Sequence, residues 1–126
     1  MSGSRILLLE DDEGVAELLV LVLRGAGYMV DLAVNVAQAD HRLAERGYEL
    51  VVADWRLPDG DGIEIANRAA ELGARTAILS GYALQMSPER SARHEIWMKP
   101  IRPRELIAAV EHCIGVASEK DATAAD

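Results

Sequence analysis

The chain is short of several residue types, and each shortage excludes a class of protein. Its 126 residues include a single cysteine, Cys113, so no internal disulfide can form and a reducing compartment is expected. No apolar run is long enough to cross a bilayer, and residues 1–4 lack the apolar core of a signal peptide. Basic residues number 13 against 21 acidic ones, and the net charge of -8 argues against a nucleic-acid surface. We therefore expect a cytoplasmic protein that binds neither a membrane nor nucleic acid.

Short apolar runs alternate with segments of helical periodicity along the sequence. The runs predict strands, and the first has no polar alternation, as in a strand covered on both faces. This alternation predicts an α/β fold in which helices cover both faces of a parallel sheet. The predicted strands are residues 5–9, 28–34, 50–53, 76–79 and 96–98, and the predicted helices are 13–24, 35–47, 61–72, a short one after Pro88 and a last one from Pro103.

We expect a flavodoxin-like sheet for this pattern: five parallel strands, doubly wound, in the order 2-1-3-4-5. That order is taken from fold precedent, because periodicity alone does not give it. We assign residues 1–117 to this one domain. Residues 118–126 are small and charged, and we expect them to form a disordered tail.

Residues suited to phosphoryl chemistry follow four of the predicted strands. Glu10 and Asp11 close the first, Asp54 the third, Ser80 the fourth and Lys99 the fifth. Ligands bind beyond the carboxyl ends of the strands in an open parallel sheet, so these side chains are expected in one crevice. Each alone also fits a plain turn or a helix cap, but the joint placement favours a shared site.

The clustered carboxylates predict a divalent cation, because without a partner they repel one another. Oxygen ligands favour Mg²⁺ or Mn²⁺ over Zn²⁺. A carboxylate such as Asp54 can also act as a nucleophile and form an aspartyl-phosphate. Lys99 would then neutralise phosphate charge, and the Ser80 hydroxyl could donate a hydrogen bond to a phosphoryl oxygen.

Four motifs, in this order and spacing, resemble the receiver domains of two-component response regulators. They are Glu10-Asp11-Asp12, the stretch DWRLPDGDG at residues 54–62, Ser80, and Lys99-Pro100. The resemblance covers about residues 5 to 115. It implies a stand-alone receiver that works as a phosphorylation-controlled switch and not as an enzyme, apart from limited self-phosphorylation and dephosphorylation.

The resemblance also implies roles for individual residues. Asp54 would take a phosphoryl group from a histidine kinase or a histidine phosphotransfer protein. Asp11 would bind Mg²⁺ directly and Glu10 through water, and the backbone carbonyl of Arg56 would complete the protein ligands. Lys99 would contact the phosphoryl group, and Ser80 would swing towards the phosphate. The Lys99-Pro100 peptide bond is expected to be cis, as it often is in the family.

The sequence departs from the family pattern near the fifth strand. Receivers usually carry Tyr or Phe three residues before the lysine, and here that position is Ile96, in a chain without phenylalanine. The usual Gly-Ala-Asp stretch is replaced by residues 91–95. We therefore expect phosphoryl acceptance to be intact and the output switch to be unconventional. Arg56 and Tyr82 occupy positions flanking the acceptor that influence attack by water in the family, so the resemblance makes them candidates for tuning the phosphate lifetime.

Partners and alternatives follow from the same residues. Val15, Leu18, Leu19 and Val22 are predicted to face the sheet, which leaves Leu21 beside a surface for a phosphotransfer partner or a second copy of the chain. A downstream protein target is expected as well. The three histidines, His41, His94 and His112, are interpreted as surface residues.

Three other interpretations stay open on the sequence. A phosphatase with an aspartyl intermediate is opposed by Arg56, which stands where such enzymes need a second Asp. A binding-only pseudo-receiver is favoured by Ile96 but opposed by the acids and Lys99. A receiver domain taken from a hybrid histidine kinase is the third.

Overall fold

The computed structural model of the protein describes residues 4–81 and 88–115. The predictions for Tyr82 and for a tail at 118–126 lie outside these residues. In chain order the elements are β1 (Arg5–Leu9), α1 (Glu13–Gly25), β2 (Met29–Ala33), α2 (Val36–Glu45), β3 (Leu50–Asp54), β4 (Arg56–Leu57), β5 (Gly60–Asp61), α3 (Gly62–Glu71), β6 (Arg75–Ser80), α4 (Pro88–Ser91), β7 (Glu95–Met98) and α5 (Pro103–Ile114).

Five parallel strands form the sheet, in the order β2-β1-β3-β6-β7. Counted without the short hairpin of β4 and β5, this is the predicted order 2-1-3-4-5, and the flavodoxin-like fold is confirmed. The register places Leu9 of β1 opposite Ala53 of β3. The residues that follow, Glu10 and Asp54, therefore emerge side by side at the carboxyl edge of the sheet.

Helices cover both faces of the sheet, and each face has its own buried cluster. On one face α1 and α5 supply Leu19, Leu23 and Leu106, together with Trp97 of β7. On the other face α2 and α3 cover the sheet, and Ile96 packs at its margin. Strand alternation thus sends the neighbouring side chains of Ile96 and Trp97 to opposite faces, as expected.

The predicted inward face of α1 is wrong at two positions. Val15 is 37% exposed and Leu18 is 48% exposed, whereas the buried positions are Ala16, Leu19 and Leu23. Residues 18–23 are all apolar, so the period of 3.6 residues does not single out one stripe among them. As a result α1 carries more apolar surface towards solvent than the sequence predicts.

His94 also differs from the surface placement expected of it, because its side chain is buried before β7. Its Nδ1 lies 2.5 Å from the Thr76 hydroxyl, and its Nε2 lies 2.7 Å from Oδ1 of Asn67. Burial, with a smaller effect of the Arg93 charge, lowers the pKa of this histidine below its ordinary value. The neutral ring thus ties β6 and α3 to the segment before β7.

Within the described part of the chain, none of the helices has both the length and the apolar character that a membrane span requires.

Candidate functional site: an acidic crevice at the carboxyl edge of the sheet

Three carboxylates meet where β1 and β3 end. Glu10 is fully buried, Asp54 is 7% exposed, and Asp11 faces solvent. One oxygen from each carboxylate lies within 4.8 Å of one oxygen from the others. The Glu10 backbone N–H donates to the Ala33 carbonyl at 3.0 Å, and Oε2 of Glu10 accepts from the Asp12 backbone at 3.1 Å. The backbone of both flanking segments therefore holds Glu10 in place.

Lys99 supplies the positive charge of the crevice. Its Nζ lies 2.5 Å from Oδ1 of Asp54 and 3.1 Å from Oε1 of Glu10. The buried Glu10 carboxylate and the Lys99 ammonium therefore form an ion pair beside Asp54. A single ammonium thus faces two buried carboxylates.

The carboxylates of the crevice carry more negative charge than Lys99 neutralises. Burial raises the pKa of Asp54 to about 7, the nearby Glu10 carboxyl adds to the rise, and Lys99 opposes it. Burial lowers the pKa of Lys99, but its contacts with Asp54 and Glu10 outweigh this, and the net shift is upward. Lys99 therefore stays charged, while Asp54 is held back from full ionisation near neutral pH.

These residues fit a hard divalent cation. Glu10, Asp11 and Asp54 all offer carboxylate oxygen atoms, and three carboxylates so close together carry more negative charge than the Lys99 ammonium neutralises. Neither cysteine nor histidine belongs to this cluster among the described residues, so the donor set suits Mg²⁺ better than Zn²⁺.

The crevice beside the carboxylates has a volume of about 190 Å³ and is open to solvent on one side. Ser80 and Lys99 lie on its wall, and the Lys99 backbone N–H donates to the Ser80 carbonyl at 3.0 Å. The guanidinium of Arg56 stacks over the Trp55 ring at 4.7 Å. The lining residues are Asp54, Trp55, Arg56, Leu79, Ser80, Gly81 and Lys99.

Most of the residues chosen from the sequence thus come together. Glu10, Asp11, Asp54 and Lys99 form the charged centre, and Arg56 and Ser80 line the crevice. Ile96 lies instead in the margin of the buried cluster beneath α2 and α3, away from the lining. The peptide bond between Lys99 and Pro100 is cis, as the resemblance implies.

Two residues that were not predicted from the sequence shape this site. Gly62 begins α3 directly behind Asp54, where an added Cβ would lie 1.8 Å from the Asp54 carbonyl oxygen. Asp59 reaches across to α2, where its carboxylate accepts from the backbone of Val36 at 2.8 Å and of Ala37 at 3.1 Å. The Asp-Gly pair at 61–62 was a usable signal for the first, whereas no local pattern links Asp59 to a helix 23 residues away.

Comparison with known proteins finds the same architecture, a doubly wound α/β domain with acidic residues and a lysine at the carboxyl edge of its sheet. A family model described as the response regulator receiver domain matches residues 6–111. The response regulator receiver protein CpdR of Brucella abortus is 37% identical over 112 residues, covering 85% of this chain and 93% of CpdR. The chain therefore belongs to the response regulator receiver family of two-component signalling.

Other relatives place the same domain in different contexts. The phosphate regulon regulator PhoB of Pseudomonas aeruginosa is 31% identical over 118 residues, which cover 88% of this chain but 52% of PhoB. The chain thus spans about half the length of that regulator. The solved structure of TrrA from Thermotoga maritima, in complex with Mg²⁺-BeF, superposes with a TM-score of 0.79 at 29% identity, covering 88% of this chain and 99% of TrrA.

Proposed function

We propose that this receiver domain accepts a phosphoryl group on Asp54 in a Mg²⁺-dependent reaction, and that the phosphorylated form controls a protein partner or passes the group onward. The observation that carries the proposal is the charged centre itself. Asp54 Oδ1 lies 2.5 Å from Lys99 Nζ, and the carboxylates of Glu10 and Asp11 lie beside it within a 4.8 Å cluster. The donor is expected to be a histidine kinase or a histidine phosphotransfer protein.

In the proposed step a carboxylate oxygen of Asp54 attacks the phosphorus of a phosphohistidine. The new P–O bond forms as the P–N bond breaks, and the departing imidazole nitrogen keeps that electron pair. The products are an acyl phosphate on Asp54 and an unmodified histidine on the donor. The attack requires ionised Asp54, and the adjacent ammonium of Lys99 favours that form against the effect of burial.

The neighbouring residues have distinct proposed roles. Asp11 and Glu10 would hold Mg²⁺ (or Mn²⁺), the first directly and the second through water, with the Arg56 carbonyl as a further ligand. When bound, the ion neutralises negative charge on the phosphoryl oxygens. Lys99 would contact the phosphoryl group, and the Ser80 hydroxyl would donate to one of its oxygens. The Mg²⁺-BeF complex of TrrA supports a magnesium site in this chain.

The output of the switch is proposed to be unconventional. The usual aromatic residue is Ile96 here, and its aliphatic side chain packs against the cluster beneath α2 and α3. It therefore lacks a ring that could report a movement of Ser80. We expect phosphorylation to leave hydrogen exchange in β7 unchanged, and altered exchange there would mean that Ile96 does transmit the signal.

The surface of α1 is the proposed docking site for the phosphoryl donor. Val15, Leu18 and Leu21 are exposed on this helix, and Leu21 has 70% of its surface in solvent. The burial of Ala16, Leu19 and Leu23 beneath them leaves the three side chains in one exposed apolar band.

The experiment that tests the proposed function is incubation with Mg²⁺ and acetyl phosphate, followed by mass spectrometry of the intact protein. We expect one added phosphoryl group in the parent, none in Asp54→Asn, and none when the metal is chelated. The matched control is Asp40→Asn, which makes the same change on α2, where Asp40 pairs with Arg68. Modification that persists in Asp54→Asn, or that needs no divalent cation, would contradict the proposal.

A further inference from the structure

Two loops carry the ligands of the proposed metal centre, and both are tied to one short segment. The segment is residues 33–37, which joins β2 to α2, and we call it the bridging segment. On one side the Glu10 backbone N–H donates to the Ala33 carbonyl at 3.0 Å. On the other side the Asp59 carboxylate accepts from Val36 at 2.8 Å and from Ala37 at 3.1 Å. The loop of Glu10 and the loop of Arg56 are thus linked through the start of α2.

Several hydrogen bonds hold the bridging segment in place. Asn35 caps α2 and accepts the Gln38 backbone N–H at 2.8 Å, while Gln38 accepts that of Val34 at 3.0 Å. The first two N–H groups of α2, which a helix leaves without an internal partner, both go to Asp59. A carboxylate at this end also interacts favourably with the helix dipole.

The loop that Asp59 anchors is the one that carries Arg56. Arg56 and Leu57 pair with Asp61 and Gly60 in the short hairpin of β4 and β5, and Asp59 lies at its turn. The hairpin is seated against α2, since an added Cβ on Gly60 would meet Cγ2 of Val36 at 3.1 Å. A hairpin of two residues per strand has little stability of its own, so its position depends on such anchors.

We propose that Asp59 is a positioning residue for the metal centre. By accepting hydrogen bonds from the start of α2, its carboxylate holds the Arg56 loop at a fixed separation from Glu10 and Asp11. This inference rests on the proposed function, because it concerns the same metal site. Asp59 touches neither the phosphoryl group nor the metal. Its loss should weaken Mg²⁺ binding while the nucleophile Asp54 and its partner Lys99 stay in place.

The hydrogen bond from Val36, with a smaller one from Ala37, holds the pKa of Asp59 below its ordinary value against the opposing effect of desolvation. The carboxylate is therefore ionised at neutral pH, where the test is made.

The test is a Mg²⁺ titration of the unphosphorylated protein, followed by the fluorescence of Trp55 on the crevice wall. Trp97 lies in the cluster on the opposite face and supplies a constant background. In Asp59→Ala we expect the Kd for Mg²⁺ to rise about 3- to 10-fold, less than the ~10–100-fold typical of a residue bonded directly to a ligand. The phosphorylation rate at saturating Mg²⁺ should stay within about twofold of the parent.

Two further variants test whether a change in Mg²⁺ affinity is due to the hydrogen bonds of Asp59. Glu64→Ala removes the same charge from an exposed side chain in the first turn of α3, and its Kd should stay within about twofold of the parent. Val36→Pro removes one of the two donors to Asp59, together with the side chain that lies against Gly60, and leaves every charge intact at a helix position where proline is tolerated. Its Kd should rise too, and the Asp59→Ala/Val36→Pro double variant should be less affected than two independent effects predict.

The outcomes separate the inference from the function on which it rests. A parent that binds no Mg²⁺ would overturn the metal centre and this inference together. A parent that binds Mg²⁺, with Asp59→Ala no weaker than Glu64→Ala, would overturn the role of Asp59 alone. Equal losses of Mg²⁺ affinity and of the rate at saturating Mg²⁺ would also overturn it, because they indicate general damage. If Asp59→Ala does not fold by circular dichroism, Val36→Pro decides, and an unchanged Kd there overturns the inference.

Discussion

Gly62 packs directly against the Asp54 carbonyl group, so its replacement by alanine should disturb both the fold and the acceptor. A Cβ at this position would lie 1.8 Å from the Asp54 carbonyl oxygen and 2.9 Å from its carbonyl carbon. Carbon–oxygen contacts settle near about 3.3 Å, so α3 and the end of β3 would have to separate by about 1.5 Å. Neither side can relieve the clash by a side-chain rotation, because the two nearest atoms belong to the backbone and the third, Cβ of Ala53 at 3.3 Å, has no rotamer to change.

The expected loss in the free energy of unfolding is large for the addition of a single methyl group. Overpacking in a close-packed interior typically costs about 1–3 kcal/mol, and we place Gly62→Ala near about 3 kcal/mol because backbone must move. A small domain with about 5–15 kcal/mol of stability remains folded after such a loss. A displacement of about 1 Å at the reacting carboxylate should also slow phosphorylation on the order of 100-fold.

Urea unfolding and the rate of phosphorylation by acetyl phosphate measure the two effects. The matched control is Gly25→Ala at the end of α1, where an added Cβ meets nothing within 4 Å. That control should leave the phosphorylation rate unchanged and stabilise the fold slightly, by up to about 1 kcal/mol. A free energy of unfolding for Gly62→Ala within about 0.5 kcal/mol of the parent would refute the reasoning.

Three other predictions follow from the structure and from the sequence. Burial lowers the pKa of His94, so the unfolded chain takes up a proton at higher pH than the folded protein does, and the free energy of unfolding should fall as pH drops below about 6.5. Urea titrations of His94→Gln should lack this pH-dependent component; if the component persists, the His94 ring does not titrate as described. Leu21→Glu should slow phosphoryl transfer from a histidine donor, while Leu72→Glu, which changes a side chain 65% exposed at the end of α3, should not; equal rates would remove α1 as the docking site. Arg56→Ala and Tyr82→Ala should each shorten the hydrolysis half-life of the phosphorylated protein, because these side chains are proposed to shield the acyl phosphate, and an unchanged half-life would contradict that role.

The five strands of the sheet could be anticipated because the sequence separates its elements cleanly, whereas their order came from fold precedent. Five apolar runs alternate with capped helical segments, and Asn35 and Asp61 cap α2 and α3 as expected. The grouping of Glu10, Asp11, Asp54 and Lys99 follows from where parallel strands end. The elements and caps depend on local pattern, which the sequence expresses directly, and fold precedent supplies the strand order that brings the site residues together.

Other features depend on contacts between distant segments and were not accessible in this way. The run of apolar residues at 18–23 hides which face of α1 turns inward, so Val15 and Leu18 were misplaced. His94 looks like a surface residue until Thr76 and Asn67 are brought beside it by β6 and α3. No short-range pattern indicates these pairings, because each partner is supplied by a different element.

The most direct test of the central claim is to trap the acyl phosphate chemically. After incubation with Mg²⁺ and acetyl phosphate, borohydride should reduce the phosphorylated side chain to an alcohol and leave homoserine in its place. Peptide mapping is expected to find homoserine at position 54 and at no other aspartate. Homoserine at a different position, or a phosphoryl group that resists reduction because it sits on a hydroxyl or an imidazole, would contradict the account.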